Sequence, residues 1–255
     1  MDDRAHILAN LHLHAVLPRL EELVKLDEEA QSIAREMKLK VRFKVRKGPS
    51  RIVEICDGVV RTDSDPKADA GLGLFFASCD QLNNLFMDKR AIPVPYKGLT
   101  QLRQMSRFSK LTGLLTRYLK PEEADLEDPA FKKKHVEMAL MAGLAGAAEV
   151  ARYDRKMEHV VDQLPWGTLQ FSVLPDGPYA FASVDKEKNI FVGNGRIADP
   201  TANLDIQGVD MAAAVLAGTV DTFAALGRED VRASGLLSLV DEFNALRDRV
   251  GYFLA

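Results

Sequence analysis

The chain has 255 residues and a mass of 28.2 kDa, with 47% hydrophobic and 28% charged side chains. Its net charge of −3 argues against a dedicated nucleic-acid binder, and its longest apolar run, Met138 to Ala148, falls short of the about 20 residues that cross a bilayer. Met1 to His6 lacks the charge and apolar core of a signal peptide, and two cysteines, Cys56 and Cys79, make no disulfide framework, so a cytoplasmic location is expected.

Pro18 can open a helix, because its missing donor does no harm in a first turn. Leu23, Leu26, Ala30, Ile33 and Met37 then recur at steps of three and four and form one apolar stripe. Next, Leu39, Val41, Phe43 and Val45 alternate with lysines and arginines from Lys38 to Arg46, the period of a strand with one buried face. Ile52 to Cys56 and Gly58 to Arg61 read as two more strands joined at Asp57-Gly58. Ala70 to Leu74 is a fourth strand, and Ser78 to Gln81 has capping-box spacing before Leu82, Leu85 and Phe86. Two prolines in Ile92 to Gly98 predict a rigid surface loop ahead of a weak last strand.

The same order then recurs. Asp128-Pro129 is an N-cap followed by a first-turn proline, opening a long helix whose stripe runs through Met157 and Leu164 to Pro165. Leu169 to Val173, Tyr179 to Val184, Asn189 to Val192 and Asn203 to Ile206 read as strands. Gly193-Asn194-Gly195 reads as a turn, without the Gly-Lys-Ser/Thr of a phosphate loop. Asp210 is expected to cap a helix through Val215 and Leu216. A last strand, Asp230 to Ser234, precedes a helix containing Leu236, Leu239, Val240, Phe243 and Leu246.

The recurrence points to a diverged tandem repeat. Val41 to Val45 aligns with Leu169 to Val173, Asp65-Pro66-Lys67-Ala68 with Asp199-Pro200-Thr201-Ala202, Phe108 with Phe243, and Leu119 with Leu254. The polar break at Pro121 to Asp125 divides the chain into domains 1–120 and 121–255, each of α+β class. The first carries 21 basic and 15 acidic residues and the second 13 and 22, a contrast that favours docking of the two halves.

Residue patterns for chemistry are sparse. His12 and His14 would point to nearly opposite sides of a helix, and no ligand spacing completes a metal site with His6. His135 and His159 are too far apart along one helix to form a dyad. Cys79 near a helix start is either a thiol of lowered pKa or a buried structural cysteine. The basic strand Lys38 to Lys47 can attract a phosphate headgroup, coenzyme A or an anionic membrane, or simply form a solvated face; it lacks exposed aromatics for base stacking. No catalytic motif, metal site or cofactor is expected.

Asp199 to Leu204 together with Asp230 to Leu237, and in the first half Asp65 to Ala70 with the helix around Leu82 to Phe86, resemble the sterol carrier protein family of nonspecific lipid-transfer domains. The resemblance implies two tandem domains, each a mostly antiparallel five-stranded sheet covered by helices over an apolar tunnel. It implies binding of sterols, fatty acids, acyl-coenzyme A esters or phospholipids without catalysis, and some family members are accessory domains with no established ligand. The peroxisomal tripeptide of some members is absent from Tyr252 to Ala255.

An apolar ligand is held mainly by burial, so the candidate lining residues are large apolar ones. In the first half they are Phe75, Phe76, Leu82, Phe86, Met87, Phe108, Leu111 and Leu115. In the second they are Met211, Val215, Leu216, Phe223, Leu226, Leu236, Val240 and Phe243. The plainer reading of each is core, which small domains need in order to fold. The partners expected are a lipid or acyl-coenzyme A type molecule, at most a transient membrane contact, no nucleic acid, and a second copy of the chain in a homodimer, which no single motif specifies. The alternative is a protein interaction module with a filled interior; a hydrolase or transferase with an unrecognised site is a third class.

Overall fold

Alternating apolar residues make Lys38–Val45 (β1) the central strand of the first of two sheets, with Leu39, Val41, Phe43 and Val45 buried. The structure is a computed structural model that describes residues 3–63, 65, 68–87, 89–220 and 222–254, the side chains of Asp3, Thr222 and Phe223 excepted. Pro66 and Lys67 of the first Asp-Pro motif, Ala255 at the carboxyl end and the Phe223 side chain therefore lie outside the described residues. The chain divides into two units, Met1–Arg117 and Tyr118–Ala255.

In the first unit, β2 (Ser50–Cys56), β3 (Val59–Asp63), β4 (Leu72–Phe76) and β5 (Val94–Lys97) complete a sheet of order β3-β2-β1-β4-β5. Only β1 and β4 run parallel within it; the other neighbours are antiparallel. Asp57 and Gly58 both take positive φ, 52° and 78°, the backbone that a tight hairpin between β2 and β3 requires. The segment expected as a loop ahead of the last strand is itself that strand. Pro95 stands in β5, at the sheet edge beside a register shift, where a missing N–H donor is tolerated.

The helical start differs from the sequence reading. α1 (Asp3–Asn10) runs into a π-helical stretch, Leu11–Val16, then a 3-10 turn, Leu17–Arg19, and α2 (Leu20–Leu26). Pro18 therefore sits inside the helical run instead of opening it. Asn10, Leu11, His12, Leu13, Ala15 and Leu17 are all buried, so the segment is enclosed and shows no amphipathic stripe to be read. The expected single helix to Met37 is broken at Asp27, whose extended backbone and carboxylate, accepting from Ala30 N at 2.8 Å, cap α3 (Glu28–Arg35). α4 (Cys79–Phe86) is capped by Ser78, and Gln81 reaches back to accept from Ala77 N at 2.7 Å. α5 (Met105–Leu119) follows β5.

The second unit repeats the sheet. β6 (Gly167–Leu174), β7 (Tyr179–Val184), β8 (Ile190–Asn194), β9 (Ala202–Gln207) and β10 (Val231–Gly235) lie in the order β10-β9-β6-β7-β8, and β6 and β9 are the parallel pair. Read from the other edge, this is the order of the first sheet. Val41 faces Leu72 and Leu169 faces Ala202, so the strands set Leu72, not Ala68, against Ala202. Register follows the buried face of a strand, to which a turn motif four residues away is indifferent. Gly193 and Asn194 belong to β8 and are not a turn.

Asp128 caps α6 (Pro129–Tyr153) by accepting from Ala130 N at 2.9 Å. The helix stops at Asp154, whose side chain caps the next turn through Lys156 N and takes Arg249 Nε at 2.7 Å. The stripe continued through Met157 and Leu164 thus belongs to a separate short helix, α7 (Glu158–Gln163), and its flanks. α8 (Val209–Leu216) begins after Gly208 without a side-chain cap; Asp210 lies in its first turn and pairs with Lys132 Nζ at 2.6 Å. α9 (Thr222–Gly227) leads to β10, and α10 (Leu237–Leu254) closes the unit against α6.

Candidate functional site

In the first unit the Phe43 ring of β1 gathers three of the candidate residues around it. Its centroid lies 6.3 Å from Phe76, 6.4 Å from Phe86 and 5.9 Å from Phe108. Leu111 and Leu115 follow Phe108 on one face of α5 and are buried with it, as is Leu82 of α4. Phe75 stands apart, because the strand pleat sends it to the sheet face opposite Phe76, and Met87 is 46% exposed. The alternating pattern marks Phe43 as strand core, and its place midway along the central strand is the sequence signal for its hub position.

This interior is closed by a polar latch. Asn83 of α4 is buried, donates to Ala5 O at 2.9 Å and faces His12 Nδ1 at 3.2 Å. The His12 ring stacks on Phe86 with centroids 4.8 Å apart. α1 is thereby fixed onto α4 by hydrogen bonds that have no solvent competitor.

In the second unit Val240 and Phe243 are buried, and Phe243 meets Phe171 of β6 at 5.8 Å. Leu239, Leu246, Val250 and Phe253 extend the same buried face of α10, and the last two were not read as part of it. Met211, Val215 and Leu216 lie on α8, half-buried. That helix is apolar apart from Asp210, yet Ala212 alone of its residues is buried. Gly208 and Gly218, at φ 83° and 67°, flank it, and a Cβ at either would meet nothing within 4 Å. Leu226 and Leu236, each 38% exposed, fall before and after β10, so the structure does not bring them together.

The titratable groups take structural partners. Burial, and then the Asp80 charge, raise the Cys79 thiol above its ordinary value, and a hydrogen bond to Asp57 does the same for Cys56. The lowered-pKa alternative for Cys79 is thus not realised. His6 lies 3.9 Å from Cys79 Sγ, His14 meets Arg51 at 2.9 Å, and His135 meets Tyr118 O at 2.6 Å. No group of three or more His, Cys, Asp or Glu is placed to hold a metal among the described residues. Within the basic strand, Lys40 pairs with Glu54 at 2.9 Å and Arg42 donates to Ala68 O.

Two cavities are notable. One, of about 280 Å³, lies at the start of α4 beside Arg46, Lys47 and Cys79. The other, of about 320 Å³, lies on the outward face of β6 and β9. None of the sixteen candidate residues lines either one. No helix among the described residues is long and apolar enough to cross a membrane.

No family model matches the chain, and no curated protein matches it. Among solved structures it is similar to the solution structure of the sterol carrier protein domain 2 of Helicoverpa armigera, at 15% identity over 45% of this chain and 89% of that one, with a TM-score of 0.34. The UbiJ-SCP2 ubiquinone synthesis protein is similar at 18% identity over 42% of this chain and 94% of that one, with a TM-score of 0.32. Sterol carrier protein 2 from Yarrowia lipolytica, in its apo form, is similar at 14% identity over 46% and 88%, also with a TM-score of 0.32. Likeness at this level carries no argument about activity; the α+β architecture stands on the two five-stranded sheets themselves.

Proposed function

We propose that the second unit binds an apolar, lipid-like molecule (a fatty acyl chain, an acyl-coenzyme A ester, a sterol or a phospholipid) and that it does so without catalysis. The observation that carries this reading is α8, an apolar helix that leaves Met211, Val215 and Leu216 only half-buried. Covering one such side chain completely is worth up to about 1.5–3 kcal/mol, a gain open to a greasy guest. Gly208 and Gly218 supply conformational freedom at both ends of the helix, as a movable cover needs. The sequence motifs that resemble sterol carrier domains name the same chemical class. The first unit, filled around Phe43 and latched through Asn83, acts as an accessory domain without a ligand.

Native mass spectrometry of the freshly purified full chain, with displacement of a fluorescent fatty acid, tests this reading. A carried lipid is expected, and Val215→Asp should abolish probe binding while circular dichroism shows an intact fold. Folded protein that neither carries a lipid nor binds the fatty acid or a fluorescent sterol would overturn it.

A second reading, as an interaction module, is favoured by one feature of the first unit. The edge strand β5 leaves Val94 and Tyr96 exposed, with Ile92 and Leu99 exposed on its flanks. Such an edge can accept the strand of another polypeptide, a second copy of this chain included. Sedimentation velocity of the full chain and of Val94→Lys checks it, self-association lost in the variant being the supporting result.

A further inference from the structure

The outward face of the second sheet carries polar chemistry that a lipid site does not use. Strand register sets Gln170 of β6 beside Asn203 of β9, and Ser172 beside Asp205. Gln170 and Ser172 are buried although they lie opposite the apolar core, because residues 195–200 fold across them. Gln170 holds that cover in place: its Nε2 donates to Ala180 O at 2.9 Å and Gly195 O at 3.2 Å, and its Oε1 accepts from Ile197 N at 2.9 Å. Arg196 is fixed at the rim, donating to Tyr179 OH at 2.6 Å with its guanidinium 4.0 Å over that ring.

The side chains of Ser172, Asn203 and Asp205 line the resulting cavity of about 320 Å³ and make no hydrogen bond or ion pair among the described residues. Ser172 is buried and Asn203 and Asp205 are half-buried, so three polar side chains without a protein partner face the cavity from rigid neighbouring strands, a prepared set of contacts. Their chemistry narrows the guest. Leu174, Ile197 and Pro200 complete the lining, so a guest meets both polar and apolar contacts; the Asp205 carboxylate disfavours an anion, and the Arg196 guanidinium at the rim disfavours a cation. One carboxylate is too few for a metal cage. A hydroxyl group, by contrast, both donates and accepts, matching the carboxylate, the arginine, the serine and the amide together. The volume suits a small molecule.

We propose that this cavity binds a neutral, multiply hydroxylated small molecule of about monosaccharide size. The full chain, labelled with nitrogen-15, is titrated with ribose, glucose, myo-inositol, inorganic phosphate and a tetramethylammonium salt while amide shifts are followed. Saturable shifts confined to β6, β9 and residues 195–197 are expected with at least one polyol, at a dissociation constant of about 1 mM or tighter. Asp205→Asn should weaken that binding about tenfold, the loss of one charge-assisted contact. If that variant does not fold, Asn203→Ala on the half-buried neighbour serves instead. No saturable shift with any polyol, shifts with phosphate or tetramethylammonium alone, or unchanged affinity in the folded variant would overturn the proposal. Because this face lies opposite α8, the lipid displacement assay is unaffected by either variant if the two sites are separate.

Discussion

Phe171 of the central strand meets Phe243 of the closing helix with ring centroids 5.8 Å apart, and Phe43 and Phe108 make the same contact at 5.9 Å in the first unit. In both units it joins the middle of the sheet to the last helix, so sheet and cover share one apolar contact. All four rings are buried. Replacing Phe243 or Phe108 with alanine leaves a cavity that its neighbours fill only partly, and each change should cost about 3–5 kcal/mol. Urea unfolding followed by circular dichroism checks this; a loss below about 1 kcal/mol would mean that the ring is not part of a close-packed core.

Asn83 is buried between Ala5 O and His12. Asn83→Ala removes both contacts of this buried side chain at once, an expected loss of about 1–3 kcal/mol. Hydrogen exchange should show faster opening of α1 and the following π-helical stretch, with β6 to β10 unchanged.

Glu22 pairs with Arg19 at 2.8 Å, but one of its carboxylate oxygens is buried without a partner. Burial pushes the Glu22 carboxyl above the ordinary carboxylate range, and the nearby Arg19 guanidinium offsets only part of that shift. The folded chain therefore holds this proton more tightly than the unfolded one. The contribution of the site to stability is fully present below the unfolded carboxyl pKa and is lost as pH rises through the raised folded value. Glu22→Gln should flatten that part of the stability profile, measured as the urea midpoint at a series of pH values from about 4 to 7.

Both thiols are held above their ordinary pKa, Cys79 by burial and Cys56 by its hydrogen bond to Asp57. A thiolate is the reactive form, so both should react with a disulfide reagent more slowly than a free thiol at neutral pH. Cys56, half-buried, should react before Cys79, and unfolding in urea should bring both to the free-thiol rate. A fast-reacting Cys79 in the folded chain would show that the start of α4 opens readily.

Much of the fold was legible because strands with one buried face write a period of two into the chain. β1 alternates from Leu39 to Val45, and Ser78 and Asp128 mark helix starts by the chemistry of their side chains. Elements without such a signal were missed or shifted. Asn10 to Leu17 is surrounded by protein and carries no stripe, Pro95 hides an edge strand, and Asp27 and Asp154 cap a second helix where the apolar spacing runs straight on. The candidate lining residues were chosen for size and apolarity, which cannot separate Phe76 from Phe75 until the pleat assigns their faces.

Local periodicity and capping chemistry by themselves determined the half-buried strands and the capped helix starts, since both act over a few neighbouring residues. Strand order, the parallel β1–β4 and β6–β9 pairs, the gathering of Phe76, Phe86 and Phe108 on Phe43, and the placing of Ser172 beside Asp205 were decided by tertiary structure. Those contacts join residues far apart in the chain, and the energy that selects them comes from burying whole faces together, a quantity no short stretch of sequence carries.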